Sequence, residues 1–229
     1  MPKSSPFLHS VYNKLYSYFG PQGWWPGDTR LEIIVGAILT QNTAWYNVEK
    51  AITRLKRSGA IDNIHKLKSI GSSRLAGLIR PAGYYNIKAK RLKCCLDFLY
   101  ARLGPDMRKA SSIKTGDLRK ELLGVHGIGP ETADSILLYA FRRPVFVVDA
   151  YTRRIFSRHG LIAGDEDYDT IREVFMKNMP SEEGLFNEYH ALIVNLGKNF
   201  CRTKARCEGC PLDSGKYYFG RLKPRHKRA

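Results

Sequence analysis

The sequence predicts an all-α fold, and two features carry that prediction. Apolar residues recur at helical spacing in successive segments, so that Val11, Leu15 and Phe19 fall on one face of a helix over residues 8–19. Between residues 117 and 140, two helical segments flank a glycine-rich turn, and Pro130 follows the turn at a place suited to the first position of a helix. We therefore expect helices to form the core.

The composition indicates a globular protein with a polyanionic partner. The chain has 229 residues, 43% of them hydrophobic, which is enough for a full core in one domain or two small ones. Its formal net charge of +17 exceeds what solubility requires, and 11% aromatic residues beside that charge favour nucleic acid over a membrane surface. No apolar run approaches the length of a membrane span and the N-terminus lacks a secretory signal pattern, so we expect a cytoplasmic, nucleoid-associated protein.

Periodicity and turn residues divide most of the chain into helices. Residues 31–40 are strongly apolar and must be core, whereas the segment that ends at Leu103 is basic and begins after a Pro-Ala-Gly turn. An extended apolar run is predicted at 145–148. In chain order, helices are predicted over residues 8–19, 31–40 and 46–57, in two short pieces within 58–80, up to Leu103, over 117–123, after Pro130, from Asp149 onward and within 160–200.

The glycine-rich turn predicts a helix–hairpin–helix. Gly124, Gly127 and Gly129 allow a tight turn that residues with a Cβ would resist. Such a turn exposes backbone N–H groups at a helix N-terminus, which can bind a phosphate without reading base sequence. The alternative is a helix pair joined by a glycine-rich loop, but the charge of the chain and the residues around Asp149 favour DNA binding.

The run from Leu122 to Asp149 resembles the hairpin and catalytic aspartate of the endonuclease III, or helix-hairpin-helix-GPD, superfamily of DNA glycosylases. The resemblance extends from about Trp24 to Cys210. It implies a two-lobed helix–hairpin–helix glycosylase fold, with a helical barrel over 30–140 and a second domain formed by 1–29 and 141–229. DNA would lie across the groove between the lobes, and we expect a monomer that acts on double-stranded DNA containing a damaged base.

Asp149 is the residue that we expect to be catalytic. An aspartate before a helix is also a good N-cap, and the two roles are compatible because a helix N-terminus keeps a carboxylate ionised. Breaking a glycosidic bond builds positive charge on the sugar, which a nearby carboxylate can stabilise while it orients or deprotonates water. Tyr151 and Arg154 follow at offsets similar to those of the family.

Glu131 departs from the pattern of the family members that also cut the DNA strand. Those members carry a lysine at this position, whose amine attacks the sugar and forms a Schiff base. A carboxylate cannot do this, so the sequence predicts a monofunctional glycosylase that uses water. The structural alternative for Glu131 is a first-turn acid that favours the helix dipole, and it is compatible with this prediction.

The resemblance also implies residues that contact or enter the DNA. Gln41 would fill the gap left by the flipped nucleotide, and Tyr84 would form a wedge beside it. Lys88 is expected at a phosphate, with a solvated basic helix face as the alternative. For Gln41 the alternative is a helix cap or a loop hydrogen bond. Further DNA contacts are expected from the hairpin and the helix after Asp149, namely at Gly127, Gly129, Thr132 and Arg154.

Trp24, Trp25 and Trp45 are candidates for the base pocket, although each could instead be a structural or core aromatic. Together with residues 81–92 they resemble the 3-methyladenine glycosylase branch of the superfamily. Cationic N-alkylated purines would stack between indoles with a gain of roughly 1–2 kcal/mol. We therefore expect excision of alkylated purines such as 3-methyladenine; the alternatives are an endonuclease III-like glycosylase and lyase for oxidised pyrimidines, or a non-enzymatic DNA-binding protein.

The five cysteines argue against a disulfide framework because their number is odd. Cys201, Cys207 and Cys210 resemble the C-terminal iron–sulfur loop of the family, which uses four cysteines. The first gap is one residue shorter than usual, and Lys216 stands at the expected fourth position. A [4Fe-4S] cluster on three thiolates and a remnant loop without metal both remain open at this point.

Overall fold

A computed structural model describes residues 4–24 and 27–213. Every regular element in these ranges is helical, which confirms the all-α prediction. The α-helices are α1 (Ser4–Phe19), α2 (Arg30–Leu39), α3 (Trp45–Arg57), α4 (Ile64–Ser69), α5 (Ser72–Leu78), α6 (Tyr85–Leu103), α7 (Thr115–Leu123), α8 (Pro130–Ser135), α9 (Ala150–Arg158), α10 (Tyr168–Asn178) and α11 (Glu183–Asn199). Short 3₁₀ turns lie at Arg80–Ala82 and Arg108–Ser112, and α8 continues into a π-helical turn at Ile136–Ala140.

The chain divides into two compact units. We call residues 25–143 the central unit and residues 1–24 with 144–229 the terminal unit. The core of the central unit is α2, whose Ile34, Val35, Ile38 and Leu39 have no exposed surface. Helices α3 and α6 and the π-helical turn pack around it. Because α2 is buried, the loop that follows it is held at a defined place in this unit.

The core of the terminal unit is aromatic. Phe146 stacks on Phe175 with ring centroids 3.9 Å apart, and Tyr189 meets both rings edge-on. Residues 145–148 form the predicted extended run and are buried without a sheet partner. Side chains satisfy its backbone instead, since the Phe146 N–H donates to Met176 Sδ and the Val148 N–H donates to the Tyr168 hydroxyl. This run leads directly into Asp149.

Within the described ranges, none of the helices is both long enough and apolar enough to cross a bilayer.

Candidate active site and DNA interface

The hairpin turn lies between α7 and α8 in the central unit. Gly129 is the N-cap residue of α8 and Pro130 is at its start, as the sequence predicts. Ile128 is 4% exposed, and its N–H donates to Val125 O. The turn is therefore held in place by a buried side chain and a backbone hydrogen bond. Gly129 is exposed, and the start of α8 is therefore open to an anion.

The three hairpin glycines are not equivalent. Gly127 has a φ of +85°, and a Cβ there would lie 2.2 Å from Arg91 Cγ, so glycine is required for two reasons. Gly124 has a φ of −74° and Gly129 a φ of −90°, which any residue can adopt. A Cβ on Gly129 would meet nothing within 4 Å. The expectation that a Cβ would be resisted at all three positions is therefore wrong for Gly129.

An ion pair between α7 and α8 fixes the geometry of the hairpin. Arg119 Nε and Nη2 donate to the two carboxylate oxygens of Asp134 at 2.7 and 3.1 Å, and Asp134 is fully buried. This bidentate pair orients one helix against the other. The sequence analysis missed it because the two residues are 15 positions apart and follow no local pattern.

Gln41 is held by hydrogen bonds inside the central unit. Its Nε2 donates to Gly127 O and to Thr132 Oγ1, both at 2.9 Å, and its Oε1 accepts from Arg91 Nη1 at 2.5 Å. The alternative noted for Gln41, a loop hydrogen bond, is therefore present. Thr132 is only 6% exposed and its hydroxyl accepts from Gln41, so its side chain has a structural role, and the DNA contact expected at this position stays a prediction.

Two non-glycine residues in the loops around Gln41 and Tyr84 have positive φ values. Tyr84 has a φ of +44° at the N-cap position of α6 and is 65% exposed, and Asn42 has a φ of +52°. Asparagine tolerates this region, whereas a bulky residue there costs about 1–3 kcal/mol and persists only when its surroundings impose it. An exposed aromatic side chain on a strained backbone is typical of a functional position.

Lys88 is not at a phosphate, and that prediction is wrong. The residue is 1% exposed. Its Nζ donates to Leu39 O at 2.8 Å, to Thr43 Oγ1 at 2.5 Å and to Ala82 O at 2.8 Å. Burial, with a smaller effect of the Arg91 charge, lowers the pKa of Lys88 to about 8.

Asp149 is the N-cap residue of α9, as predicted. Its Oδ1 accepts from the Thr152 N–H at 2.7 Å and from Thr152 Oγ1 at 2.9 Å. Its Oδ2 lies 3.5 Å from Nε2 of His190, and both side chains are nearly buried. Burial by itself raises the pKa of Asp149, but the His190 imidazole and the bonds from Thr152 outweigh it, so the pKa is lower than usual. The carboxylate is thus kept ionised, with Oδ2 left outside the capping interaction.

His190 was missed by the sequence analysis. It lies on α11, and no spacing relates it to Asp149. Gly197, on the same helix, explains part of the arrangement, because a Cβ there would lie 2.1 Å from the ring of Tyr151. The absence of a side chain at Gly197 lets α9 and α11 pack closely, which brings Asp149 and His190 together.

The side chain of Arg154 contacts other residues of the terminal unit. Its Nε donates to Cys201 O at 2.7 Å, and its guanidinium lies 4.9 Å from the centre of the Tyr151 ring. Arg154 is half-buried and has these structural contacts, and the DNA contact expected of it stays a prediction. Glu131, by contrast, is exposed in the first turn of α8, where a carboxylate favours the helix dipole.

The tryptophans have separate surroundings. Trp45 is half-buried, and its indole N–H donates to Glu49 Oε1 at 2.8 Å, one turn along α3. Trp24 is half-buried in the terminal unit, where Lys198 Nζ lies 5.5 Å from the ring centre. Trp25 lies outside the described residues. Trp24 and Trp45 belong to different units, and the role of the three tryptophans in base binding stays a prediction.

The cysteine loop does not fit a metal cluster within the described part of the chain. Among those residues, no three His, Cys, Asp or Glu side chains are placed to hold a metal ion. Cys201 is buried, with its sulfur accepting from Arg158 Nη1 at 3.2 Å, whereas Cys207 is exposed. Burial raises the pKa of the Cys210 thiol. Lys216 lies outside the described residues.

A glycine hairpin at the start of a helix and a later aspartate that caps another helix define a helix–hairpin–helix DNA-binding protein with a candidate catalytic carboxylate. The comparisons with known proteins agree with this class. Residues 35–181 match the model of the HhH-GPD superfamily of base excision DNA repair proteins. The chain belongs to this family of DNA glycosylases, which confirms the predicted superfamily.

Relatives cover most of the chain. A protein of Methanocaldococcus jannaschii, named as a candidate DNA repair glycosylase, is 50% identical over 90% of this chain and 93% of its own length. Endonuclease III of Sulfolobus acidocaldarius is 31% identical over 86% of this chain and 87% of its own. The crystal structure of Helicobacter pylori 3-methyladenine DNA glycosylase bound to 1,N6-ethenoadenine matches with a TM-score of 0.72 and 30% identity, over 85% of this chain and 97% of that one.

Proposed function

We propose that the protein is a monofunctional DNA glycosylase that removes alkylated purines, with Asp149 assisting the attack of water. One observation carries this proposal: Asp149 is nearly buried with a lowered pKa, and its Oδ1 accepts both bonds from Thr152 while Oδ2 is not part of the cap. An ionised oxygen of low exposure can stabilise the cationic sugar of the transition state and orient a water molecule.

The proposed mechanism needs no covalent intermediate. The C–N bond to the damaged base lengthens, and positive charge grows on the sugar opposite the Asp149 carboxylate. The base leaves with the bonding electrons, water attacks the sugar carbon, and the Asp149 carboxylate accepts the proton that the water loses. Glu131 supports this course because a carboxylate stands where strand-cutting members have an amine, so there is no nucleophile for a Schiff base at that position.

The choice of alkylated purines is supported by likeness and by chemistry. The solved 3-methyladenine glycosylase is 30% identical to this chain, and its bound ligand is a modified adenine. N-alkylated purines carry positive charge and leave easily, so stacking on indole rings selects them through cation–π attraction. Trp24, Trp25 and Trp45 are the proposed source of these rings.

We further propose that Gln41 and Tyr84 enter the duplex when the damaged nucleotide is extruded. The exposure and positive φ of Tyr84 support this role. For Gln41, entry requires that its bonds to Gly127, Thr132 and Arg91 be exchanged for bonds to DNA. The hairpin at Gly127 and Gly129 would hold the phosphate backbone meanwhile.

The test is chromatography of the bases released from methylated DNA by wild type and by Asp149→Asn. We expect release of 3-methyladenine by wild type only, and no covalent DNA adduct after borohydride reduction. A borohydride-trapped adduct would contradict the monofunctional mechanism. Parallel duplexes containing uracil, an oxidised pyrimidine or 8-oxoguanine test the substrate class: release of one of these and not of methylated purines would overturn that part alone.

A further inference from the structure

The first turn of α6 carries a buried ammonium that the proposed reaction does not use. Lys88 Nζ donates three hydrogen bonds, and its acceptors come from three segments of the central unit. Leu39 O lies at the C-terminal end of α2, where a cation is favoured. The other two acceptors lie in what we call the glutamine loop (residues 40–44) and the tyrosine loop (residues 80–84).

Thr43 joins the two loops at the same point. Its hydroxyl accepts from Lys88 at 2.5 Å and donates to Ala82 O at 2.6 Å. Ala82 O thus accepts from both Lys88 and Thr43, which uses both of its lone pairs. The result is a closed network of a lysine, a hydroxyl and a carbonyl, in which Thr43 is two residues from Gln41 and Ala82 is two residues from Tyr84.

Each loop tied by this network contains a non-glycine residue with a positive φ, and for the bulky Tyr84 this conformation needs an external constraint. Asn42 and Tyr84 have φ values of +52° and +44°, and neither is a glycine. Such conformations persist when surrounding bonds over-determine the chain. The Lys88 network supplies that constraint for both loops at once, since Thr43 follows Asn42 and Ala82 precedes Gly83 and Tyr84.

We infer that Lys88 is a positioning residue that joins the glutamine loop to the tyrosine loop, so that Gln41 and Tyr84 enter the duplex from one preformed unit. This inference rests on the proposed function, in which these two side chains enter DNA. Lys88 does not touch the substrate. Its effect is on the extrusion of the nucleotide, because rigid loops do not have to be ordered during the distortion of the duplex.

The junction depends on the charge of Lys88. An ammonium has three N–H donors and meets three oxygens, whereas a neutral amine would turn its lone pair toward one of them. Arg91 on α6 is the charged group that acts on Lys88; α2 and the two loops present to it the neutral oxygens of Leu39, Thr43 and Ala82. With a pKa of about 8, the ammonium is lost over a moderately alkaline range.

The direction of the Lys88 pKa shift predicts different pH dependences for nucleotide extrusion and for the free energy of unfolding. The folded pKa of about 8 lies below the ordinary value for lysine, so over the range between them the unfolded chain binds more protons. Deprotonation of Lys88 therefore does not lower the free energy of unfolding, although it weakens the junction between the loops. We expect extrusion to decline as the pH rises through about 8 without a matching loss of stability.

Lys93 provides a matched control on the same helix. Its ammonium also donates to two backbone carbonyls, those of Lys68 and Ile70, and burial lowers its pKa as well. These carbonyls belong to the last turn of α4 and to the connection to α5, which no proposal places at DNA. Lys93→Met thus removes a similar interaction from a different loop.

The experiment measures extrusion directly. The probe is a duplex with a tetrahydrofuran abasic analogue opposite 2-aminopurine, whose fluorescence rises when its stacking is disturbed. We expect Lys88→Met to reduce the rise at saturating protein by at least about threefold and to remove the decline near pH 8, with Lys93→Met close to wild type. Single-turnover excision from paired duplex should fall at least about tenfold, but much less when the damaged base is already unpaired.

A second pair of variants guards against a folding defect of Lys88→Met. Thr43→Val keeps the volume of the side chain and removes the hydroxyl, whereas Thr43→Ser retains it. We expect the first to reduce the fluorescence rise and the second to restore it. Equal behaviour of Thr43→Val and Thr43→Ser, or a loss in Lys93→Met as large as in Lys88→Met, would overturn the inference.

The same measurements separate this inference from the proposed function. The abasic duplex requires no excision, so its fluorescence reports on the loops even if no base is released. A protein that leaves methylated DNA intact but shows the predicted fluorescence pattern would refute the substrate and retain the role of Lys88. The reverse pattern, normal excision from paired DNA by Lys88→Met, would refute the role of Lys88 and retain the proposed function.

Discussion

Two helices of the terminal unit begin with the same motif in different surroundings. Asp149 and Thr152 cap α9, and Asp167 and Thr170 cap α10, each through an aspartate that accepts from the N–H and the hydroxyl three residues on. In both caps these bonds are 2.7 and 2.9 Å long. The local chemistry is therefore the same, and both aspartates have lowered pKa values.

The two caps differ in how their oxygens are used. Asp167 is exposed. Its Oδ1 accepts from the Thr170 N–H, and its Oδ2 accepts from the Thr170 hydroxyl. Asp149 is nearly buried. Its Oδ1 accepts from both the N–H and the hydroxyl of Thr152, which leaves Oδ2 facing His190. A capping aspartate is thus an ordinary helix start, and burial beside a histidine, with one oxygen released, is what makes Asp149 a candidate catalyst.

The largest expected effect comes from exchanging each aspartate for asparagine. Asparagine caps a helix about as well as aspartate, so neither Asp149→Asn nor Asp167→Asn should change the unfolding midpoint by much. The loss of charge should lower base excision at least about hundredfold in Asp149→Asn and leave it unchanged in Asp167→Asn. Single-turnover kinetics and thermal unfolding of both variants measure the two quantities, and similar activity in the two would remove the distinction between the caps.

A smaller effect is expected from His190→Gln. Glutamine keeps an N–H donor near Asp149 Oδ2 but removes the imidazole whose electrostatic interaction lowers the pKa of Asp149. The carboxylate must be ionised to act, so the acid limb of the rate profile should move to higher pH, with a loss of about tenfold or less at its plateau. The measurement is the excision rate against pH, and an acid limb at the wild-type position would exclude a role of His190 in the ionisation of Asp149.

The smallest effect is expected from the threonine hydroxyls. Thr152→Val removes one of the two bonds to Asp149 Oδ1 and leaves the backbone bond in place. We expect excision to fall about threefold, because the carboxylate is less firmly oriented, while Thr170→Val has no effect on the rate. A rate loss in Thr170→Val equal to that in Thr152→Val would show that general stability, and not orientation, is measured.

Most helices follow from the sequence because helical periodicity and turn residues act locally. The predicted segments at 31–40, 46–57 and 117–123 correspond to α2, α3 and α7 to within two residues. The π-helical turn after α8 was not predicted, since the apolar residues from 136 to 140 suit an α-helix equally well. Here the difference is one hydrogen-bond register, which composition does not encode.

The placement of Lys88 could have been predicted from the helix that carries it. In α6, Leu92, Cys95 and Leu99 are buried, and Lys88 lies at helical spacing on that same face. The neighbouring basic residues suggested a solvated surface instead. The acceptors of its ammonium were beyond prediction, because Leu39 and Thr43 are more than 40 residues away in sequence.

The sequence by itself determined the helical fold, the hairpin with its glycine at 127, the aspartate cap at 149 and the carboxylate at 131, because each depends on backbone conformation or residue type within a few positions. Only the tertiary structure decided that Asp149 faces His190, that Gln41 is held by Arg91 and that Lys88 is buried between two loops. These are contacts between distant segments, and their strength comes from burial, which removes the competing water and depends on how the whole unit packs.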